Sequence, residues 1–240
     1  MEIIRATDYD DLCEKAAVML ISQVQQKPNA VLGLATGATP TGIYQKMVAD
    51  HQERGTSYAG VRTFNLDEYV GLPPEHPSSF AYYMRKQLFD RIDLPLAQTH
   101  IPSGIAADLE QECRQYEEAI LAAGGIDMQI LGIGMNGHIG FNEPGTPFQS
   151  VTHVVTLTES TRKANRRYFD EGETMPSHAI TMGLATIMRS KRIVLLVSGK
   201  HKAPILHRLL NEPVSEDLPA SILKQHSHVT VIADADAWDQ

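Results

Sequence analysis

The stretch Ile130-Leu131-Gly132-Ile133-Gly134-Met135-Asn136-Gly137-His138-Ile139-Gly140-Phe141-Asn142-Glu143-Pro144-Gly145 gathers more reactive side chains than any other part of the chain. Its five glycines between Gly132 and Gly145 disfavour regular structure and allow a backbone to fold closely around a ligand. Within this frame His138 can shuttle protons near neutral pH. Either Asn136 or Glu143 can hold its ring in one tautomer, as the third member of a catalytic triad does. Zinc fits less well, because His138 and Glu143 lack the helical His-Glu-x-x-His spacing and the cysteines are far away in sequence.

Two further segments could do chemistry. In Phe64-Asn65-Leu66-Asp67-Glu68-Tyr69-Val70-Gly71-Leu72-Pro73, Asp67 follows an apolar strand and then the chain is expected to enter a loop. A carboxylate held there in a partly dry pocket suits abstraction of a proton next to a carbonyl or imine. Glu68 is expected to face the opposite side, so the two acids are not a cooperating pair. In Thr36-Gly37-Ala38-Thr39-Pro40, a strand gives way to a small-residue turn and a helix start. Pro40 suits the first helical position, which makes Thr39 the expected N-cap. Free backbone N–H groups and the helix dipole would favour an anion there, and phosphate is the natural candidate. Neither the Walker frame nor the dinucleotide Gly-x-Gly-x-x-Gly fingerprint is present.

The elements that must position these groups follow from periodicity. Residues 30–35, 61–66, 128–133, 193–197 and 229–233 are short, continuous apolar runs, as expected for a parallel sheet covered on both faces. Between them lie helical stretches such as 10–26, where Leu12, Ala16, Met19, Leu20 and Val24 recur at helical spacing, and 110–123. Strand–helix alternation predicts a three-layer α/β/α sandwich with a mostly parallel sheet and ligands at the carboxyl ends of its strands. The Pro- and Gly-rich segments 71–77 and 144–147 follow candidate site residues directly, so they are expected to shape the site and not to divide domains. One domain over residues 1–240 is expected.

Composition sets outer limits. A 240-residue chain with 42% hydrophobic and 21% charged residues can bury a sizeable core. The net charge of -8 weighs against nucleic acid or an anionic membrane as the main partner. No stretch approaches the roughly 20 apolar residues of a membrane span, and the N-terminus lacks the apolar core of a signal peptide. Cys13 and Cys113 are far apart in helix-like segments, so a reducing cytoplasm is the expected setting.

Taken in order, the runs 64–73 and 137–144 and the turn at Thr36 resemble the glucosamine-6-phosphate deaminase (isomerase) family, and the resemblance covers essentially the whole chain. It implies a modified Rossmann-like fold and conversion of D-glucosamine 6-phosphate and water to D-fructose 6-phosphate and ammonia, in N-acetylglucosamine catabolism. No metal or organic cofactor is implied. By motif, Asp67 matches the base that moves a proton between C2 and C1, His138 the group that assists ring opening, and Glu143 its acidic partner. Thr36, Gly37, Ala38 and Thr39 match the phosphate loop, with Arg167 and Lys202 as basic contacts and Arg166 and Lys200 as their alternates. Some members carry Asp where this chain has Asn136, which cannot supply charge but can orient the ring. His138 is therefore expected to rely on Glu143. Allosteric hexamers of the family have basic residues in the strand after the Glu143 loop and a longer tail. Here that strand reads His153-Val154-Val155-Thr156 and the sequence stops at Gln240, so a monomer without activation by N-acetylglucosamine 6-phosphate is expected. The polar segment 158–182, which carries Arg167, is the candidate lid. The competing readings are a 6-phosphogluconolactonase, which has no use for a base at Asp67, and a non-catalytic sugar-phosphate sensor.

Overall fold

Valine-, isoleucine- and leucine-rich runs with no polar face must be covered on both sides, and they form the centre of the protein. The computed structural model describes residues 1–170 and 172–238. The strands are β1 (Glu2–Arg5), β2 (Val31–Leu34), β3 (Arg62–Asn65), β4 (Asp67–Tyr69), β5 (Thr99–His100), β6 (Met128–Gly132), β7 (His153–Thr156), β8 (His178–Thr181), β9 (Ile193–Val197) and β10 (Val229–Ala233). The helices are α1 (Tyr9–Gln26), α2 (Ala38–Arg54), α3 (Phe80–Gln87), α4 (Leu109–Ala122), α5 (Glu159–Asn165), α6 (Leu184–Met188), α7 (Ala203–Asn211) and α8 (Ala235–Trp238). Among the described residues, seven strands form one sheet in the order β1-β10-β9-β6-β2-β3-β5. Every pairing in it is parallel. The five expected core strands are all present, and those at 193–197 and 229–233 have the expected bounds.

The strand order contains a reversal. From β2 the chain steps outward through β3 to β5, then returns to place β6 on the other side of β2 and steps the opposite way through β9 to β10. The loops leaving β2 and β6 therefore diverge, and they open a crevice at the carboxyl end of the sheet. In α/β proteins that crevice is where ligands bind. The amino end of the same strands is locked by Asp127, 4% exposed, whose carboxylate accepts from Val31 N at 2.8 Å and pairs with Lys27 at 2.7 Å and Lys191 at 2.8 Å.

Two expectations are corrected. The chain after Leu66 is not a loop. Asp67, Glu68 and Tyr69 form β4, which pairs antiparallel with β8, and β8 pairs antiparallel with β7 in a separate three-stranded sheet. Its small core contains Tyr69, Leu72, Phe141, Leu157, Phe169 and Met175. The lid expected at 158–182 accordingly ends earlier, because residues 178–181 are β8, buried from Ala179 onward.

Candidate active site

The turn after β2 starts its helix two residues earlier than the sequence suggested. The N-cap of α2 is Gly37, at φ 104°, and not Thr39. Only glycine tolerates that conformation readily, and it lets the helix begin at Ala38 with Pro40 still inside the first turn, where its missing N–H is harmless. Gly37 has no side chain to cap the helix, so the first N–H groups stay available for an external acceptor. Thr36 and Thr39 are half-buried beside them and Ala38 is exposed.

Asp67 opens β4 at the same end of the molecule, 7% exposed. Backbone pairing with Thr181 fixes its direction, and a side chain added at Gly140 would come within 3.7 Å of Asp67 Oδ2. The base candidate thus lies against the His138 loop. Burial, with the charge of Glu68 added, pushes the Asp67 carboxyl up to about 8. Glu68 points to the other face, as strand alternation requires. It accepts from the N–H groups of Tyr69 (2.8 Å), Phe80 (3.0 Å) and Ala81 (2.9 Å), and so ties β4 to the first turn of α3. Its carboxyl is pushed up to about 7 by burial, against the three N–H bonds.

The His138 loop leaves β6 and turns on itself. Gly134 N donates to His138 O at 2.8 Å, and the imidazole covers Gly134 so closely that a Cβ there would lie 2.3 Å from His138 Nε2. On the other side of the ring, Nδ1 faces Glu143 Oε2 at 3.4 Å. Asn136 Nδ2 donates to the same oxygen at 2.5 Å, and Asn136 Oδ1 accepts from His138 N at 3.3 Å. Asn136 therefore braces Glu143 and the backbone; it does not hold the ring directly, as the sequence had allowed. Glu143 Oε1 accepts from Thr161 at 2.5 Å and Thr158 at 3.3 Å. Burial alone would raise Glu143, but the facing His138 ring, with hydrogen bonds from Thr161 and Asn136, holds its carboxyl down at about 2.

Two cations complete the crevice. Lys202 donates to Ile133 O at the end of β6, at 2.8 Å. Burial, together with the charge of Arg167, lowers its pKa. Lys200 is exposed at the same turn. Arg167 lies over the Tyr168 ring, 4.9 Å from its centroid, and donates to Tyr168 Oη at 2.9 Å. Arg166 instead turns to Asp170 O, so Arg167 is the better placed of the pair. Neither cation touches the Gly37 turn directly. A separate groove of about 680 Å³ along α4 and β7, lined by Cys113, Glu117, His153 and Arg189, contains none of these residues. Among the described residues no three or more His, Cys, Asp or Glu side chains are grouped to hold a metal. Thr158 and Thr161, the braces of Glu143, escaped sequence reasoning. A Thr158-x-x-Thr161 cap pattern was the one available signal, realised as a 3.2 Å cap bond.

An open parallel sheet whose strand order reverses, with a glycine turn leading into a helix at the switch point, defines the Rossmann-like class of α/β proteins. Within that class the chain belongs to the family described as glucosamine-6-phosphate isomerases/6-phosphogluconolactonase, whose sequence model matches residues 6–232. It is 57% identical over 237 residues to the glucosamine-6-phosphate deaminase of Geobacillus sp. (strain WCH70), spanning 99% of this chain and 94% of that one. Glucosamine-6-phosphate deaminase 1 of Bacillus subtilis (strain 168) is 49% identical over 237 residues, with 99% and 98% covered. Among solved structures, a monomeric glucosamine-6-phosphate deaminase superposes with a TM-score of 0.97 at 49% identity, covering 99% of this chain and 98% of that one. The 6-phosphogluconolactonase of Trypanosoma cruzi, at 18% identity and a TM-score of 0.78 with 98% and 95% covered, shares the fold.

Proposed function

We propose that the protein is a glucosamine-6-phosphate deaminase that converts D-glucosamine 6-phosphate and water to D-fructose 6-phosphate and ammonia in amino-sugar catabolism. The observation that carries this reading is likeness to deaminases along the full length, with 49% identity and a TM-score of 0.97 to a monomeric one. The N–H groups at the Gly37 turn, with Thr36 and Thr39, hold the phosphate, and Arg167 and Lys202 neutralise it. His138, paired with Glu143, transfers a proton at the ring oxygen and opens the pyranose to the aldehyde. Asp67 removes the C2 proton, the electrons move through the enolamine, and the proton is delivered to C1. The amine at C2 is then an imine; water adds there and ammonia leaves, giving the ketone.

Asp67 must be ionised to act as a base, while burial and the charge of Glu68 favour its protonated form. A substrate carrying an ammonium at C2 offsets that preference, since a nearby cation favours the carboxylate. The protein acts as a monomer, and no helix among the described residues is long and apolar enough to cross a membrane. The test is incubation with glucosamine 6-phosphate and assay of both products. Equimolar fructose 6-phosphate and ammonia are expected; lactone hydrolysis without ammonia, or tight binding without turnover, overturns the reading.

A further inference from the structure

The Gly37 turn offers its N–H groups to an anion but does nothing itself to keep them aimed. Its N-cap is a glycine at φ 104° without a capping side chain. Such a residue moves more freely than any other. The restraint comes from α3. Tyr83 Oη donates to Gly37 O at 2.8 Å, Thr41 Oγ1 lies 3.0 Å from the same carbonyl, and the two hydroxyls are 2.8 Å apart. Tyr83 has one proton and gives it to the carbonyl. Thr41 then donates either to the Tyr83 oxygen or to that carbonyl, and both arrangements hold Gly37 O in place. Burial pushes the Tyr83 hydroxyl above its ordinary pKa, so it remains a donor.

We propose that Tyr83 is a positioning residue for the phosphate, aiming the N–H groups of the Gly37 turn and tying that turn to α3, the helix that Glu68 binds to the strand of the catalytic base. In a trans peptide the N–H of Ala38 points opposite to the C=O of Gly37, and there is no cis peptide among the described residues. Pinning the carbonyl on the α3 side therefore turns the N–H away from α3. The same first turn of α3 is held by Glu68, the residue after Asp67. Ser79 caps it through a 3.0 Å bond from Tyr82 N. Phosphate turn and base are thus both referenced to one helical turn. A substrate gripped by its C6 phosphate is thereby presented to Asp67 at a fixed span. This inference rests on the deaminase reading for the identity of the phosphate's carrier.

The test compares wild type with Tyr83→Phe and Thr41→Val, and uses Tyr82→Phe as control, since Tyr82 is 37% exposed on the same helix. Inorganic phosphate is the probe, read as its inhibition constant and by calorimetric titration, alongside KM, kcat, the pH–rate profile and the melting temperature. Loss of the hydroxyl is expected to weaken phosphate about tenfold and to raise KM by a similar factor. The pH profile should keep its shape, and kcat should change far less than KM. Thr41→Val should move the same way and Thr41→Ser should recover, while Tyr82→Phe changes neither constant. Unaltered phosphate affinity in a folded Tyr83→Phe, or a loss confined to kcat, overturns the proposal. If wild type releases no ammonia the deaminase reading fails, while the phosphate-affinity ratio between variants still decides the role of Tyr83.

Discussion

Burial and the neighbouring Glu68 keep a proton on Asp67 up to about pH 8, far above the ordinary aspartate value of about 3.9. Between those two points the native state holds a proton that the unfolded chain has lost, so this residue's contribution to stability falls as pH rises and levels off above 8. Asp67→Asn removes the base and should lower ammonia release by roughly 10²–10⁴-fold. The same variant should be more stable than wild type at pH 9 by on the order of a few kcal/mol, with no advantage at pH 4. Denaturant titrations at both pH values check the sign; an equal gain at pH 4 would contradict it. Glu143 behaves oppositely. Held at about 2, it adds stability above the ordinary glutamate value of about 4.3 that disappears as pH falls toward 2. Because Glu143 is the acid that faces the His138 ring, Glu143→Gln should shift the pH–rate profile, and an unchanged profile would show that His138 works without it.

At the level of elements, the His138 loop owes its shape to close approach. A methyl at Gly134 would meet the imidazole at 2.3 Å, so Gly134→Ala must displace the ring. We expect kcat to fall by about 10²-fold, since ångström-scale misplacement of a reacting group costs that much, with inorganic phosphate affinity retained. Loss of phosphate affinity instead would place the damage in the wrong loop. The apolar core strands could be read from the sequence because their burial is continuous, as in Ile193–Val197. β4 could not. It is three residues long, two of them acidic, and its partner Thr181 lies more than a hundred positions away, so nothing local marks it as a strand. The true N-cap was hidden for a related reason. Pro40 pointed to a later start, whereas the φ of Gly37 and the tyrosine that pins it are tertiary facts. The chemical groups themselves were legible, since glycine density and side-chain type are local. Their braces, Thr161 on Glu143 and Glu68 on α3, join residues 18 and 13 positions apart, beyond the reach of local periodicity.

On the scale of the whole molecule, one copy of the chain contains every residue assigned to the reaction. Sedimentation at the monomer mass is expected, with hyperbolic kinetics unaffected by N-acetylglucosamine 6-phosphate; sigmoidal curves relieved by that compound would overturn this. The reversal of strand order at β2 and β6 also has a consequence in time. Gly37 and Asp67 belong to the first third of the chain, while His138, Arg167 and Lys202 come later, and the two groups meet only when β6 docks beside β2, Met128 against Leu32. Closing so long a loop is slow compared with forming helices. During synthesis a chain that ends before β6 lacks the later residues of the site and cannot perform the reaction, however well its helices have formed. In refolding from denaturant, far-ultraviolet ellipticity should return first and ammonia production last, which makes turnover a clock for completion of the central sheet.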